Sequence, residues 1–271
     1  MMNPKFHRCA VLVAIGALIL IAIGAYITSE ALGRQPASRG VLDGVVHKNV
    51  AFAVGALALV FAIWLSLEQE GSHLGWTAVG ILALAGLVGW LGEPLLHASI
   101  APLAFSAFVV ISLVTSSAWS EAPELAKDEA AAGLRLFAIA TPPLTLLQIV
   151  LGAAYRHKLI SLLPHIGFAM ILSLAILGLA GALLHRHPEH RRLRAAATWL
   201  IAIFLTQLLL GITAFILPLL KLSAAPIIVA TASHVVVGSL TLAANVVLAL
   251  QVQRDMRALA DLKKQAAQPS A

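Results

Sequence analysis

Four histidines, His47, His97, His165 and His234, stand at matching places in the chain. Each opens an apolar stretch about twenty residues long, the length that crosses a bilayer. Each is followed four residues later by a small residue: Ala51, Ala101, Ala169 and Gly238. Ionisable groups in membrane helices are costly, so a repeated one points to a functional site. Imidazole is also a common metal ligand. Two pairs of histidines suit axial ligation of haem iron, one imidazole on each face of the ring. Residues i and i+4 share a helix face, so a small residue one turn below each histidine leaves room for a porphyrin. The plainer reading of one such histidine is an interfacial or hydrogen-bonded side chain; the repetition favours ligation.

Other residues fit around this set. Zinc is the competing metal, but the sequence holds no compact His/Cys/carboxylate cluster. Arg156 beside His157 can meet a haem propionate, since guanidinium pairs well with carboxylate, or equally a lipid headgroup. Gln148 and Gln207 are polar groups at mid-membrane and read as interhelical hydrogen bonders. Gly24, Gly89, Gly152 and Gly211 permit close helix packing or leave room for a ring. His7, His73, His185, His187 and His190 lie at cytoplasmic ends or loops and read as solvated. Cys9 is the single cysteine. It therefore forms no intramolecular disulfide and reads as a small buried or interfacial residue.

The elements that must carry these residues are membrane helices. The 271 residues are 60% hydrophobic and 11% charged, with mean hydropathy +0.94. A soluble domain of this size needs more charge on its surface. Apolar runs fall at 9–29, 46–67, 75–92, 97–118, 134–155, 162–184, 197–217 and 227–250. They are continuous and lack a period of two, which excludes a β-barrel. Only Gly92, Glu93 and Pro94 separate the third run from the fourth. The first run lacks a cleavage site and is kept as a span.

The net charge of +6 does not point to nucleic acid, because the basic residues follow the membrane. Lys5, Arg8, Lys127, Arg135, Arg186, Arg191, Arg192, Arg194, Arg254, Arg257, Lys263 and Lys264 fall on one side. Arg34, Arg39, Lys48, Arg156, Lys158 and Lys221 fall on the other. The positive-inside rule then puts both termini in the cytoplasm and the four histidines near the outer face. The basic ends serve topology and lipid headgroups.

The polar stretch Ser120 to Arg135 divides the spans four and four. The expected organisation is an N-terminal bundle over 1–119, a linker over 120–134, and a C-terminal bundle with a cytoplasmic tail over 135–271. Two features mark a diverged tandem repeat. Ile23-Gly24-Ala25-Tyr26 parallels Leu151-Gly152-Ala153-Ala154-Tyr155, and Gln148…Gly152 parallels Gln207…Gly211. Halves with an even number of spans share one topology, so an axis along the membrane normal relates them.

Several segments carry a family resemblance over nearly the whole chain. They are TSEALG at 28–33, VVHKNVAFAVGALALVFAIWL at 45–65, LLHASIAPLAFSAFVVISL at 95–113, LLQIVLGAAYRH at 146–157, LLPHIGFAM at 162–170, QLLLGIT at 207–213 and SHVVVGSLTLAANVVLAL at 233–250. In order and spacing the chain resembles the haem A synthase family. The resemblance implies an all-α integral membrane protein with eight transmembrane helices in two pseudo-symmetric four-helix bundles. It implies that His165 and His234 ligate a resident haem b, and that His47 and His97 address haem O as substrate. The implied reaction oxidises a haem methyl group to a formyl group through hydroxylation. A haem O-producing enzyme or a respiratory complex is then the implied partner.

The chain departs from that family at the reactive end. The family's second helix carries a glutamate three residues before its histidine, where this chain has Gly44. Asp43 is the candidate catalytic replacement, or else caps the helix N-terminus. Lys48 stands where an arginine is common, and the first loop lacks a Pro-Asp-Trp-Pro-like segment and a cysteine pair. The alternative is a non-catalytic haem-b-binding membrane protein, an electron carrier or a respiratory-complex subunit. A transporter is a third class, but its ionisable residues would lie at the midplane rather than near the outer face.

Overall fold

A computed structural model describes residues 4–33, 41–68, 73–122, 131–221 and 223–266, without the side chains of 31–33, 41–43, 131 and 257–266. The described chain is helical and contains no strand. Its elements are α1 (Pro4–Gly33), α2 (Val41–Glu68), α3 (Leu74–Leu91), α4 (Pro94–Val114), the one-turn α5 (Ser117–Ser120), α6 (Ala131–Arg156), α7 (Leu162–Arg186), α8 (Arg191–Leu219) and α9 (Ala224–Ala266). All but α5 are long and apolar enough to cross a membrane, giving eight candidate spans among the described residues. The protein is an all-α, multi-pass membrane protein. Side chains such as Phe52, Trp90, Leu163 and Leu174 are exposed on the spans, as a lipid-facing surface requires.

Breaks and ends follow from local chemistry. Gly92 ends α3 in the left-handed region at φ 70° and Pro94 opens α4 at its first position. Both residue types suit those places, so three residues suffice to separate two spans. Pro142 and Pro143 sit inside α6. Pro142 cannot bond the Ala138 carbonyl, and the Thr141 hydroxyl donates to that oxygen at 3.2 Å. The last helix runs on to Ala266, so the polar C-terminal tail continues the span.

The chain groups into two compact units. The first holds Met1–Ser120 with Phe204–Ala243, and the second holds Glu121–Ile203 with Ala244–Ala271. One boundary falls at the polar connection expected to divide the chain. The others pass through α8 and α9, so His234 belongs to the first unit and His165 to the second.

Within the first unit α1 packs on α2 and α4, and α3 packs on the same two helices. That ring of contacts is a four-helix bundle with α2 and α4 on one diagonal. Apolar burial drives little association in lipid, so close packing of small residues must supply it. Ala10, Ala58, Ala62 and Ala78 are fully buried beside Phe61, Leu65, Phe105 and Phe108. Gly75 shows how tight this is: an added methyl would lie 2.1 Å from Ser66 Oγ and 2.6 Å from Ser66 N.

Within the second unit α6 packs on α7. Buried Asn245 of α9 donates to Thr145 Oγ1 of α6 at 3.1 Å. At the basic end, Arg135 Nε donates to Gln253 Oε1 at 3.1 Å, and Gln253 Nε2 donates to the Arg135 carbonyl at 3.0 Å. Arg192 pairs with Glu121 at 2.8 Å.

Candidate functional site

Each of the four histidine rings lies against a glycine of the helix before it. His47 of α2 meets Gly24 of α1, and His97 of α4 meets Gly89 of α3. His165 of α7 meets Gly152 of α6, and His234 of α9 meets Gly211 of α8. A methyl group on these glycines would stand 3.1, 3.7, 2.8 and 2.9 Å from the respective Cε1 atoms. Contacts under about 3.4 Å are repulsive between carbons, so three of the four glycines make space for the imidazole itself. The reading that they leave room for a ring therefore has a specific occupant, the histidine of the next helix.

The first-unit bundle brings His47 and His97 together. Their rings face each other from diagonal helices, with centroids 6.1 Å apart and planes at 80°. Two imidazoles bound to one metal through nitrogens at about 2 Å have centroids roughly 6 Å apart. His47 Nδ1 is buried and accepts or donates no hydrogen bond among the described residues. A buried polar atom without a partner is costly and marks a place for a ligand or water.

The second pair of hairpins is different. Gln148, one turn before Gly152, places its amide nitrogen 3.0 Å from His165 Nδ1 and 3.0 Å from the His165 carbonyl. Gln207, one turn before Gly211, places its amide nitrogen 3.3 Å from His234 Nε2. His234 Nδ1 is 3.2 Å from the Gln207 carbonyl, which can only accept, so Nδ1 carries the proton there. Both glutamines thus hydrogen-bond between helices, and their partners are the histidines. Gly238, the small residue four after His234, has its own reason: a methyl there would lie 3.1 Å from the Gln207 amide nitrogen.

No protein-family model matches the chain, and no curated protein matches it.

The donor set limits the chemistry that these residues support. Among the described residues no group of three or more His, Cys, Asp or Glu side chains gathers as a metal site requires. Structural and catalytic zinc sites take three or four protein ligands. A porphyrin brings four nitrogens of its own and asks the protein only for axial ligands, which a facing pair of imidazoles supplies. His47 and His97 are the facing pair that would hold such a group.

Arg156 ends α6 half-buried, next to His157. Burial holds the His157 imidazole below its ordinary pKa, and the Arg156 charge lowers it further. His157 is thus more strongly neutral at physiological pH than a free histidine. Asp43 lies in the first turn of α2, and its side chain falls outside the described residues. Gly44 is exposed, and a Cβ added there meets nothing within 4 Å.

Two histidines expected to be solvated are buried. His187 is 6% exposed and His190 5%. His190 Nδ1 accepts from the Leu193 backbone N–H at 3.2 Å, at the start of α8. Its Nε2 lies 3.3 Å from Asp255 Oδ2, with Asp255 1% exposed. The backbone bond leaves the proton on Nε2, the nitrogen that faces the carboxylate. The sequence signal was an acid in the last helix beyond the apolar run; only the fold shows that α9 places Asp255 in the second unit's interior.

Proposed function

We propose that the protein is a haem-binding membrane oxidoreductase of the haem A synthase type. The observation that carries this reading is the His47–His97 pair, with centroids 6.1 Å apart across one bundle. The resemblance adds the assignments. His47 and His97 address haem O, the substrate, and a resident haem b, when bound, would supply electron transfer. The reaction would take one methyl group of haem O through the hydroxymethyl stage to a formyl group, a four-electron oxidation that adds one oxygen atom and draws on an external oxidant such as dioxygen or a respiratory electron acceptor. Arg156 holds a propionate by paired charge and hydrogen bonding. Lipid-facing helices keep bulk water from the site. Asp43 stands in for the missing glutamate as the group that accepts a proton near the reacting methyl. The chain resides in the cytoplasmic membrane with both termini inside, and works beside a haem O-producing enzyme or a respiratory complex.

One observation favours a second reading, a haem-binding protein without catalysis that carries electrons or joins a respiratory complex. Gly44 brings no acid to the turn before His47, and the space there is open. Co-expression with a haem O source, followed by pigment extraction and chromatography, separates the two. The oxidoreductase reading predicts haem A from the natural chain and none from Asp43→Asn. The carrier reading predicts haem b alone. In that case Gly44→Glu tests whether the missing carboxylate is the whole deficit: the substitution fits the open space and should yield haem A.

A further inference from the structure

The turn between α7 and α8 and the first turns of α8 line an open cleft of about 470 Å³. That volume lies within the usual range of small-molecule sites, roughly 300–1,000 Å³. Glu189 of the turn lines it together with Arg191, Arg194, Ala195, Thr198 and Trp199 of α8. The α8 residues recur at intervals of three and four, which puts them on one helix face. The small Ala195 keeps the middle of that face low, between the arginines and the indole.

The charge here exceeds what membrane orientation requires. Gly89 of α3 and Gly211 of α8 hold equivalent places against a histidine. In that register Gln69 and Ser72 stand where α8 has Arg191 and Arg194. The connection between α2 and α3 carries Glu68 and Glu70 and no lysine or arginine. Both connections follow an even-numbered span, so a shared topology gives them the same side of the membrane. Arg192 has its own structural partner, Glu121, at 2.8 Å. Arg191 and Arg194 lie instead on the exposed face, and Arg194 forms no ion pair among the described residues.

The cleft presents different chemistry at different depths. The apolar run of α8 begins near residue 197, so Arg191 and Arg194 stand at headgroup level. An α-helix rises about 1.5 Å per residue, which puts Trp199 about 12 Å along α8 from Arg191. That is the depth at which indole rings settle between headgroups and acyl chains, and Trp199 is 69% exposed. A guanidinium fork matches phosphate oxygens. Glu189 repels a purely anionic headgroup but attracts an ammonium, whose N–H groups donate to it. The Thr198 hydroxyl donates to the Arg194 carbonyl at 2.8 Å, so it offers a ligand only an acceptor.

We propose that this cleft binds a phospholipid with a phosphoethanolamine headgroup. Arg191 and Arg194 hold the phosphate, Glu189 holds the ammonium, and the glycerol and first acyl carbons lie against Ala195 and Trp199. The occupant comes from the bilayer, because the cleft continues onto a face of α8 that is exposed to lipid. None of the haem candidates takes part, so the site stands apart from the haem reading.

Native mass spectrometry of the full-length protein in detergent tests the assignment. The titrants are phosphatidylethanolamine, phosphatidylcholine and phosphatidylglycerol with identical acyl chains. The natural chain should bind phosphatidylethanolamine most tightly, because choline has no N–H to donate and glycerol has no charge for Glu189. Glu189→Gln should weaken that binding by about two- to fivefold, the range of an exposed ion pair, and erase the advantage over phosphatidylcholine. Arg191→Gln combined with Arg194→Gln should weaken the binding of all three lipids. All three substituted side chains are exposed, and thermal unfolding in lipid-free detergent checks that the variants fold. Equal affinity for phosphatidylethanolamine and phosphatidylcholine would overturn the proposal, as would tighter binding of phosphatidylglycerol. An unchanged preference in Glu189→Gln would overturn it too. Free phosphoethanolamine at equal concentration should leave the lipid in place, since it lacks acyl chains; displacement would overturn the lipid as the occupant.

Discussion

At the scale of single residues, the structure turns a pattern of histidines into a pattern of histidine–glycine pairs. The histidines were legible in the sequence because they repeat in an apolar chain. Their glycines were legible only as small residues, since spacing along one helix does not say which neighbour will press on it. The distances give a graded prediction. Gly152→Ala and Gly211→Ala push a methyl to 2.8 and 2.9 Å from a ring carbon, inside the repulsive wall. Each should destabilise the protein by about 1–3 kcal/mol, the usual cost of overpacking. Gly24→Ala, at 3.1 Å, should cost less, and Gly89→Ala, at 3.7 Å, should be close to neutral. Thermal unfolding of the four variants in one detergent checks the order. A Gly89→Ala variant as unstable as Gly152→Ala would contradict the geometry.

At the scale of elements, the eight apolar runs matched the eight long helices because length and continuous hydropathy are properties of the chain alone. Helix ends were less legible. α3 ends on Gly92 with φ 70°, the residue expected for a left-handed cap. After α6 and α8 the same conformation falls on Lys158, φ 61°, and Lys221, φ 52°. Lysine carries no sequence signal for that conformation, though its charge suits a helix C-terminus. Leu159 N donates to the Ala154 carbonyl at 2.9 Å across the first of these turns, closing the end of α6. Relieving the strained backbone at Lys158 should outweigh the added freedom of glycine in the unfolded chain. Lys158→Gly is therefore expected to stabilise by about 0.5–1 kcal/mol, read as a raised unfolding temperature. A lowered one would mean that the lysine side chain contributes more than its backbone costs. His187 and His190 were misjudged for a related reason. A hydrophilic connection reads as solvated, yet His190 uses its ring to cap α8 and to meet Asp255.

At the scale of the whole molecule, composition alone led to a membrane protein, and the order of motifs led to a proposal about haem. The two rest on different physics. Hydropathy needs no knowledge of contacts, which is why the spans were legible. A ligand site needs side chains from separate helices at a fixed distance, and only the bundle supplies it, by setting α2 and α4 on one diagonal so that His47 faces His97. The glutamines show the same limit: as mid-membrane polar residues they announced a partner, and the fold named it. Asp43 remains a sequence-level candidate for proton transfer. Haem binding is the central claim, and the visible spectrum of the purified protein tests it most directly. The account predicts the spectrum of a low-spin haem with two imidazole ligands, and loss of the corresponding share of that spectrum in His97→Ala and in His234→Ala. A colourless protein that stays colourless after incubation with hemin would contradict it.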